Sequence, residues 1–420
     1  MFSVDDIERT APVERVPAAG YSGNSRHRRR TRVLVVAFQV GKQADGGVES
    51  LTQLLERYDG LPVTVLSQAE TAKNVRWRQA GARVLVWSAK TQTGERGLSR
   101  FLRRAWQHLL WNARAAWLSV NDGVEVAHVN DHFALWHVIA GLRLLGVPVI
   151  YNIRDTKTGF SKRDILKWRC AFHLTQSQIV LSREMREFWR HSLAIRGDDL
   201  IAIYSVVDFR RMHPATESER QELRTGLGLP RTFVAGYVAS FSEKKAQLRF
   251  IVEAGRELKC RAPGIQIHFL GDFEPQTDAY AAACARVARE QALEGRFKFN
   301  GYTADVEKWY PALDVVIVAT QNEGLARCMI ESLACGTPVV SFDVSSAREI
   351  LEAEDCGVVL SQGDYAGLVS ALARLATRET ERAAYGQRGA AVARRKFDPA
   401  GNTAQYLATY EALAAPGQVI

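Results

Sequence analysis

A chain of 420 residues is too long for one ordinary domain and long enough for two with sizeable cores. Hydrophobic residues at 47% and charged residues at 24% are ordinary for a soluble globular protein, and six scattered cysteines with no C-x-x-C pair argue against a disulfide framework or a zinc site. The formal charge of +9 lies wholly in the first half, where residues 1–210 hold 31 Lys and Arg against 20 Asp and Glu and the rest holds 24 against 26.

The first 31 residues, ending SRHRRRTR, contain no apolar h-region and predict a disordered basic tail rather than a signal peptide. Short β-branched runs then alternate with longer helical stretches. In the first half the runs are RVLVVAF (32–38), LPVTVLS (61–67), ARVLVWS (82–88), VEVAHV (124–129), VPVIYNI (147–153), QIVLS (178–182) and IAIYSVV (201–207). Continuous apolar strands separated by helices indicate a parallel sheet covered on both faces. The longest apolar stretch, 133–151, is broken by Arg143, Gly146 and Pro148 and predicts a buried helix and strand rather than a membrane span.

One helix in this half is unusual. SRFLRRAWQHLLWNARAAWLSV (99–120) places Phe101, Leu102, Ala105, Trp106, Leu109, Leu110, Ala113 and Trp117 on one broad face, with Arg103, Arg104, Gln107 and Arg114 opposite and Trp111 among them. The apolar face is expected to pack on the sheet, leaving Trp111 and the arginines free to meet an anionic bilayer surface. The net charge of this half likewise suggests an anionic partner; no nucleic-acid-binding motif accompanies it, so a membrane surface is favoured and nucleic acid is not.

A polar stretch, 208–232, shows no strand signal and is expected to separate two domains. The alternation restarts with FVAGYVAS (233–240), IQIHFLG (265–271), FKFNG (297–301), LDVVIVA (313–319), TPVVSFD (337–343) and CGVVL (356–360), and ends in helical segments. The expected organisation is a tail (1–31), a first Rossmann-like domain (32–210), a second (211–399) and a final helix (400–420) that could pack back on the first domain. Ligands of such sheets bind outside the carboxyl ends of strands, so two domains imply a cleft between them.

NEGLARCMIESLACGTPVV (322–340) sits at one such strand end. Glu323 falls in the loop and Glu331 on the second turn of a helix starting near Ala326, at most about 12 Å further along if the span is helical. Between them lies a helix N-terminus, whose free N–H groups and dipole favour an anion. A ligand with hydroxyls at both ends and a diphosphate in the middle matches all three features, and a nucleotide-diphosphate sugar has that form.

The segment closely resembles the E-x7-E region of the family 4 glycosyltransferases, retaining enzymes of GT-B fold with two doubly wound Rossmann-like domains facing across a cleft. Glu323, Gly324, Glu331, Ala334, Gly336, Pro338, Val339 and Val340 match the family pattern, and Ser332 replaces a usual alanine. The resemblance implies a hexosyltransferase moving sugar from a UDP- or GDP-sugar to a saccharide or lipid-linked saccharide, in polysaccharide or glycolipid assembly, needing no metal or other cofactor. It implies a cytoplasmic enzyme, peripheral on the inner membrane face. QADGGVESL (43–51) resembles the family's glycine-rich loop, with Gly46 and Gly47 near the donor; an ordinary βα turn would read the same. VASFSEKKAQL (238–248) resembles the donor segment, with Lys245 matching the diphosphate lysine and Ser240 standing where the family has arginine. Arg327 is the residue that could compensate.

Arg154, in YNIRDTKTGF (151–160), stands where many members have histidine; it could bind phosphate or polarise a hydroxyl, or pair structurally with Asp155. The resemblance thus implies catalytic roles for Glu323, Arg154 and Lys245. Donor binding falls to Gly46, Gly47, Ser240, Lys245, Gly324, Leu325, Ala326, Arg327 and Glu331, and acceptor binding to Asp131, His132 and Asp155. Because of Ser240 and Arg154, a degenerate sugar-nucleotide sensor or assembly subunit stays open as an alternative, as does a sugar-nucleotide epimerase of the same fold.

Overall fold

Every one of the thirteen apolar runs becomes a strand in a computed structural model, which describes residues 30–38, 46–87, 98–156, 161–193 and 200–415. The basic tail (1–29) and the 43–45 portion of the glycine-rich loop lie outside the described residues. β1 (Val33–Ala37), β2 (Val63–Ser67), β3 (Arg83–Val86), β4 (Val126–Val129), β5 (Val149–Ile153), β6 (Ser177–Val180) and β7 (Leu200–Ala202) form one sheet in the order β3-β2-β1-β4-β5-β6-β7. β8 (Val234–Val238), β9 (Gln266–Leu270), β10 (Phe297–Gly301), β11 (Val315–Val318), β12 (Val339–Phe342) and β13 (Gly357–Leu360) form a second, ordered β10-β9-β8-β11-β12-β13. The pairings are parallel, and β1, β2, β4, β5, β6, β11 and β12 are buried along their whole length, so apolar side chains on both faces earn their place.

The connecting helices of the first sheet are α1 (Gly46–Leu55), α2 (Ala72–Gln79), α3 (Leu98–Asn121), α4 (His132–Leu144), α5 (Lys162–Leu174) and α6 (Arg183–Leu193). The second half carries α7 (Glu217–Gly226), α8 (Gln247–Arg261), α9 (Ala279–Glu290), α10 (Val306–Trp309), α11 (Arg327–Ala334), α12 (Tyr365–Thr377), α13 (Glu379–Lys396) and α14 (Pro399–Ala414). Both sheets reverse strand order at one point, between β1 and β4 and between β8 and β11, and a crevice opens at the carboxyl ends of strands at such a point. That topology directs attention to the segments after β4, β8 and β11.

α14 returns to the first sheet. Tyr406 and Tyr410 are buried in the cluster of Val33, Val35, Val126 and Ile150. Tyr410 meets Tyr58 hydroxyl to hydroxyl at 2.7 Å and His128 Nδ1 at 2.6 Å, and Asn152 Nδ2 donates to the Tyr406 hydroxyl at 3.1 Å. Burial, helped by the charge of Arg154, depresses His128 to about 3, so this histidine stays neutral inside the network.

α3 packs the opposite way from the expectation. Trp111 is buried with Ala115 and Leu118, whereas Leu102, Trp106, Leu109 and Trp117 are each at least half exposed. The Phe101 side chain lies outside the described set. The reason is the shape of the neighbouring helix. Asn112 Oδ1 accepts the Gly141 N–H at 2.9 Å, and a Cβ at Gly141 would lie 2.1 Å from the Asn112 carbonyl oxygen, so α4 admits α3 only along the Asn112 side. His108 stacks on His137 at 4.0 Å along the same seam.

Candidate active site

The loop after β11 and the start of α11 form the floor of the crevice. Glu323 precedes Gly324, and the helix opens at Ala326, an N-cap residue whose side chain cannot accept the first N–H groups. Leu325 and Ala326 are buried, so what this terminus offers is backbone N–H. Lys245, in the turn after β8, forms an ion pair with Glu323. Burial works against the Lys245 ammonium, but the Glu323 carboxylate outweighs it and the lysine pKa is raised. It carries its charge at neutral pH.

Glu331 is buried one turn into α11. Tyr310 donates its hydroxyl to Oε2 at 2.9 Å, and Arg327 Nε approaches Oε1 at 2.7 Å. Burial dominates and raises the Glu331 pKa against the pull of Arg327 and Tyr310. Arg327 Nη1 donates to Ser50 Oγ at 3.0 Å and to the Val206 carbonyl at 3.4 Å, reaching across to the first sheet's elements. Nη2, by contrast, has no hydrogen-bond acceptor among the described residues. A buried guanidinium with unsatisfied N–H groups beside an uncapped helix terminus suits an anion.

The opposite wall comes from the first sheet. Arg154 follows β5, and its Nε donates to Asn130 Oδ1 at 2.8 Å. A Cβ at Gly324 would lie 2.0 Å from the Arg154 carbonyl oxygen, so only glycine lets the two walls meet. Thr156 Oγ1 donates to the Glu323 carbonyl at 3.1 Å, and Lys244 pairs with Asp155 at 3.1 Å. Asp155, read as an acceptor ligand or an Arg154 partner, therefore makes a bridge between the walls. Gly46 opens α1 next to Gly47, and a Cβ there would stand 3.4 Å from Arg327 Cβ, which brings the glycine-rich loop against the donor side. Ser240 follows β8, its carbonyl accepting from Gln247 Nε2 at 2.9 Å. Asp131 is the N-cap of α4, accepting the Ala134 N–H at 2.7 Å. His132 stacks on Trp168 at 4.2 Å and meets the Tyr151 hydroxyl at 3.1 Å.

The structure thus brings Gly46, Arg154, Asp155, Lys245, Glu323, Gly324, Arg327 and Glu331 to one crevice, while Asp131 serves mainly as a helix cap. It adds residues that sequence reasoning passed over. Ser346 Oγ meets Ser182 Oγ and the Gly324 carbonyl, both at 2.7 Å, and Tyr310 holds Glu331. Glu49, beside Arg327, forms ion pairs with Lys73 and Arg76. Burial would raise its pKa, but Arg327, Lys73 and Arg76 together hold it down at about 2. No local motif marks Ser182 or Ser346 in the sequence.

The family model for Glycosyl transferases group 1 matches residues 232–378. A 2-deoxystreptamine N-acetyl-D-glucosaminyltransferase of Streptomyces fradiae is 25% identical over 351 residues, 78% of each chain. The chain is a glycosyltransferase of the group 1 type. The matched span of this glycosyltransferase runs from β8 through α12 and holds Lys245, Glu323 and Glu331. A lipopolysaccharide core biosynthesis mannosyltransferase of Rhizobium meliloti is 24% identical over 268 residues, 60% of this chain and 75% of that one. A D-inositol 3-phosphate glycosyltransferase of Thermomonospora curvata is 38% identical over 187 residues, 42% and 43% of the two chains. Among solved structures, Anabaena Alr3699/HepE in complex with UDP-glucose matches with a TM-score of 0.77 at 20% identity, covering 91% of this chain and 100% of that one. Sucrose-phosphate synthase from Thermosynechococcus elongatus matches with a TM-score of 0.75 at 17% identity, covering 92% and 100%. These two likenesses establish the GT-B fold.

Proposed function

We propose that this glycosyltransferase is a retaining enzyme that moves a hexose from a UDP- or GDP-sugar to a saccharide or lipid-linked saccharide in polysaccharide or glycolipid assembly. The observation that carries the reading is the uncapped start of α11, flanked by Glu323 and Glu331 and approached by Lys245 and by the unsatisfied N–H groups of Arg327. The diphosphate lies at the helix terminus and the two cations; Glu323 accepts from the sugar hydroxyls and Glu331 from the ribose. The C1–phosphate bond breaks as the acceptor oxygen attacks from the same face, and the acceptor proton passes to the departing diphosphate. Charge grows on that diphosphate, where the fixed N–H groups, Lys245 and Arg327 stabilise it, so the step calls on no metal. The Arg154 carbonyl meets the Glu323 loop at Gly324, and the Arg154 guanidinium is assigned to polarise the acceptor hydroxyl. UDP-glucose in the complex of Alr3699/HepE and the saccharide chemistry in the relatives' names support this reading. Its proposed placement is cytoplasmic and peripheral, on the inner membrane face. Among the described residues no helix is long and apolar enough to cross a membrane.

The test is a panel of UDP- and GDP-sugars scored by thermal stabilisation, followed by product analysis with a lipid extract and soluble glycans as acceptors. One nucleotide series should stabilise, and the anomeric proton of the product should show the donor's configuration by NMR. An inverted product would refute retention. Failure of every nucleotide to stabilise would refute the donor site.

A further inference from the structure

The outward stripe of α3 has no partner in the fold. Leu102 is 57% exposed, Trp106 59%, Leu109 58%, Trp117 50% and Val120 66%. With exposed Ala113 between them, they recur every three or four residues along one side of the helix, over about 27 Å. The neighbouring α4 adds exposed Phe133 and Leu144. Soluble monomers rarely leave so continuous an apolar surface in water. α3 also contains four arginines (Arg100, Arg103, Arg104 and Arg114) and no Asp or Glu. Arg114 lies over the Trp117 ring at 4.9 Å, holding cation and indole together at the edge of the stripe.

We infer that α3 is an interfacial helix that seats this stripe in an anionic lipid bilayer, with Trp106 and Trp117 at headgroup depth and Arg103 and Arg114, which flank the stripe, against lipid phosphates. Charge decides between this occupant and a second copy of the chain. A two-fold pairing would set stripe against stripe, bringing Arg103 and Arg114 of both copies to one seam with no carboxylate from either helix to neutralise them. An anionic surface neutralises them directly. The excess of basic residues in the first half of the chain acts in the same direction.

The placement relative to the crevice follows from Trp111. It packs on Phe38 at 4.7 Å and on Trp87 at 5.1 Å, the residues just past the carboxyl ends of β1 and β3. The three turns of α3 before Trp111 therefore project beyond that edge of the sheet, on the side where Arg154 and Asp155 follow β5. Docking through Leu102, Trp106 and Leu109 brings the mouth of the crevice toward the headgroups. The inference stands on exposure and charge and does not rest on the donor or mechanism proposed above.

The test is flotation of the full chain with vesicles of phosphatidylcholine alone or mixed equally with phosphatidylglycerol, at low and high salt. Binding should require phosphatidylglycerol and weaken with salt. Arg103→Gln/Arg114→Gln should weaken it about thirtyfold. Trp106→Ser/Trp117→Ser should weaken it at least roughly tenfold even at low salt. Unfolding temperature and UDP affinity, read in parallel, should stay at the wild-type values and so separate docking from folding and donor binding. Wild type that stays unbound on anionic vesicles at low salt overturns the inference. So does a concentration-dependent dimer in sedimentation that the double tryptophan variant abolishes, which would assign the stripe to a second copy.

Discussion

Replacing Arg327 by methionine separates two jobs that one side chain performs. Arg327 and Glu331 are 10% and 9% exposed, so they form a buried pair, and stripping one member from such a pair costs about 3–5 kcal/mol. Tyr310 still donates to Glu331 in the variant, which argues for the lower end, about 3 kcal/mol. Roughly 1–2 kcal/mol of this is independent of pH: it reflects the hydrogen bonds from Nη1 to Ser50 and to the Val206 carbonyl. The rest is the charge of Glu331. Burial already raises the Glu331 pKa above its ordinary value, and removing Arg327 raises it further. The folded state then holds a proton that the unfolded state releases, so stability falls as pH rises above the unfolded value of about 4.3. Urea unfolding of Arg327→Met should show a modest loss at pH 5 and a larger one at pH 8. Adding Glu331→Gln should recover the pH-dependent part and leave the Ser50 and Val206 part lost. A loss equal at the two pH values, or under about 1 kcal/mol at pH 8, would refute the buried-pair argument.

Glu323→Gln should lower turnover by about ten- to a hundredfold with nucleotide affinity little changed, whereas Glu331→Gln should act mainly on nucleotide affinity; equal effects on turnover would undo the assignment of sugar and ribose ends. Gly324→Ala must drive the Arg154 carbonyl away from a Cβ placed 2.0 Å from it, so steady-state kinetics should show a lower kcat while calorimetric UDP affinity stays within a few-fold; unchanged kcat would mean that contact between the walls is not needed. Glu49→Gln should cost on the order of 3 kcal/mol near pH 7, because a carboxylate held at about 2 rather than 4.5 contributes its full stability above 4.5 and loses it as pH falls through 2. Acid titrations of wild type and variant should therefore converge near pH 2, and parallel curves would contradict the ion-pair account.

The fold was legible because a parallel strand buried on both faces is written as an unbroken apolar run, and the thirteen runs needed no tertiary information to be seen. The floor of the site was legible for a related reason. Glu323, Gly324, Arg327 and Glu331 fall within nine consecutive residues, so a strand end and a helix start fix their mutual placement. The wall was not legible. Lys244 and Asp155 are 89 residues apart, Thr156 and Glu323 167, and Arg327 and Ser50 277. No local spacing records such contacts, and a serine such as Ser346 is as common in an idle loop as in a contact between two walls. The pairing of Asp155 with Lys244 across the walls is one such contact.

α3 shows a different limit. Helical periodicity divides a helix into faces, but it does not say which face the fold will take. In α3 the richer apolar face, with Leu102, Trp106, Leu109 and Trp117, is the one left outside, and the face with Trp111, Ala115, Leu118 and Ser119 is buried. Hydrophobicity alone favours the reverse. The choice is made by the partner surface: Gly141 admits the Asn112 backbone, His137 stacks on His108, and Phe38 and Trp87 receive Trp111. Close packing against such a surface rewards complementary shape over total apolar area. A helix that satisfies the core with its lesser face keeps its greater one for something outside the fold. Because that outer face is flanked by Arg103 and Arg114 and α3 carries no carboxylate, an apolar protein surface would leave those charges unmatched, whereas an anionic bilayer accommodates both.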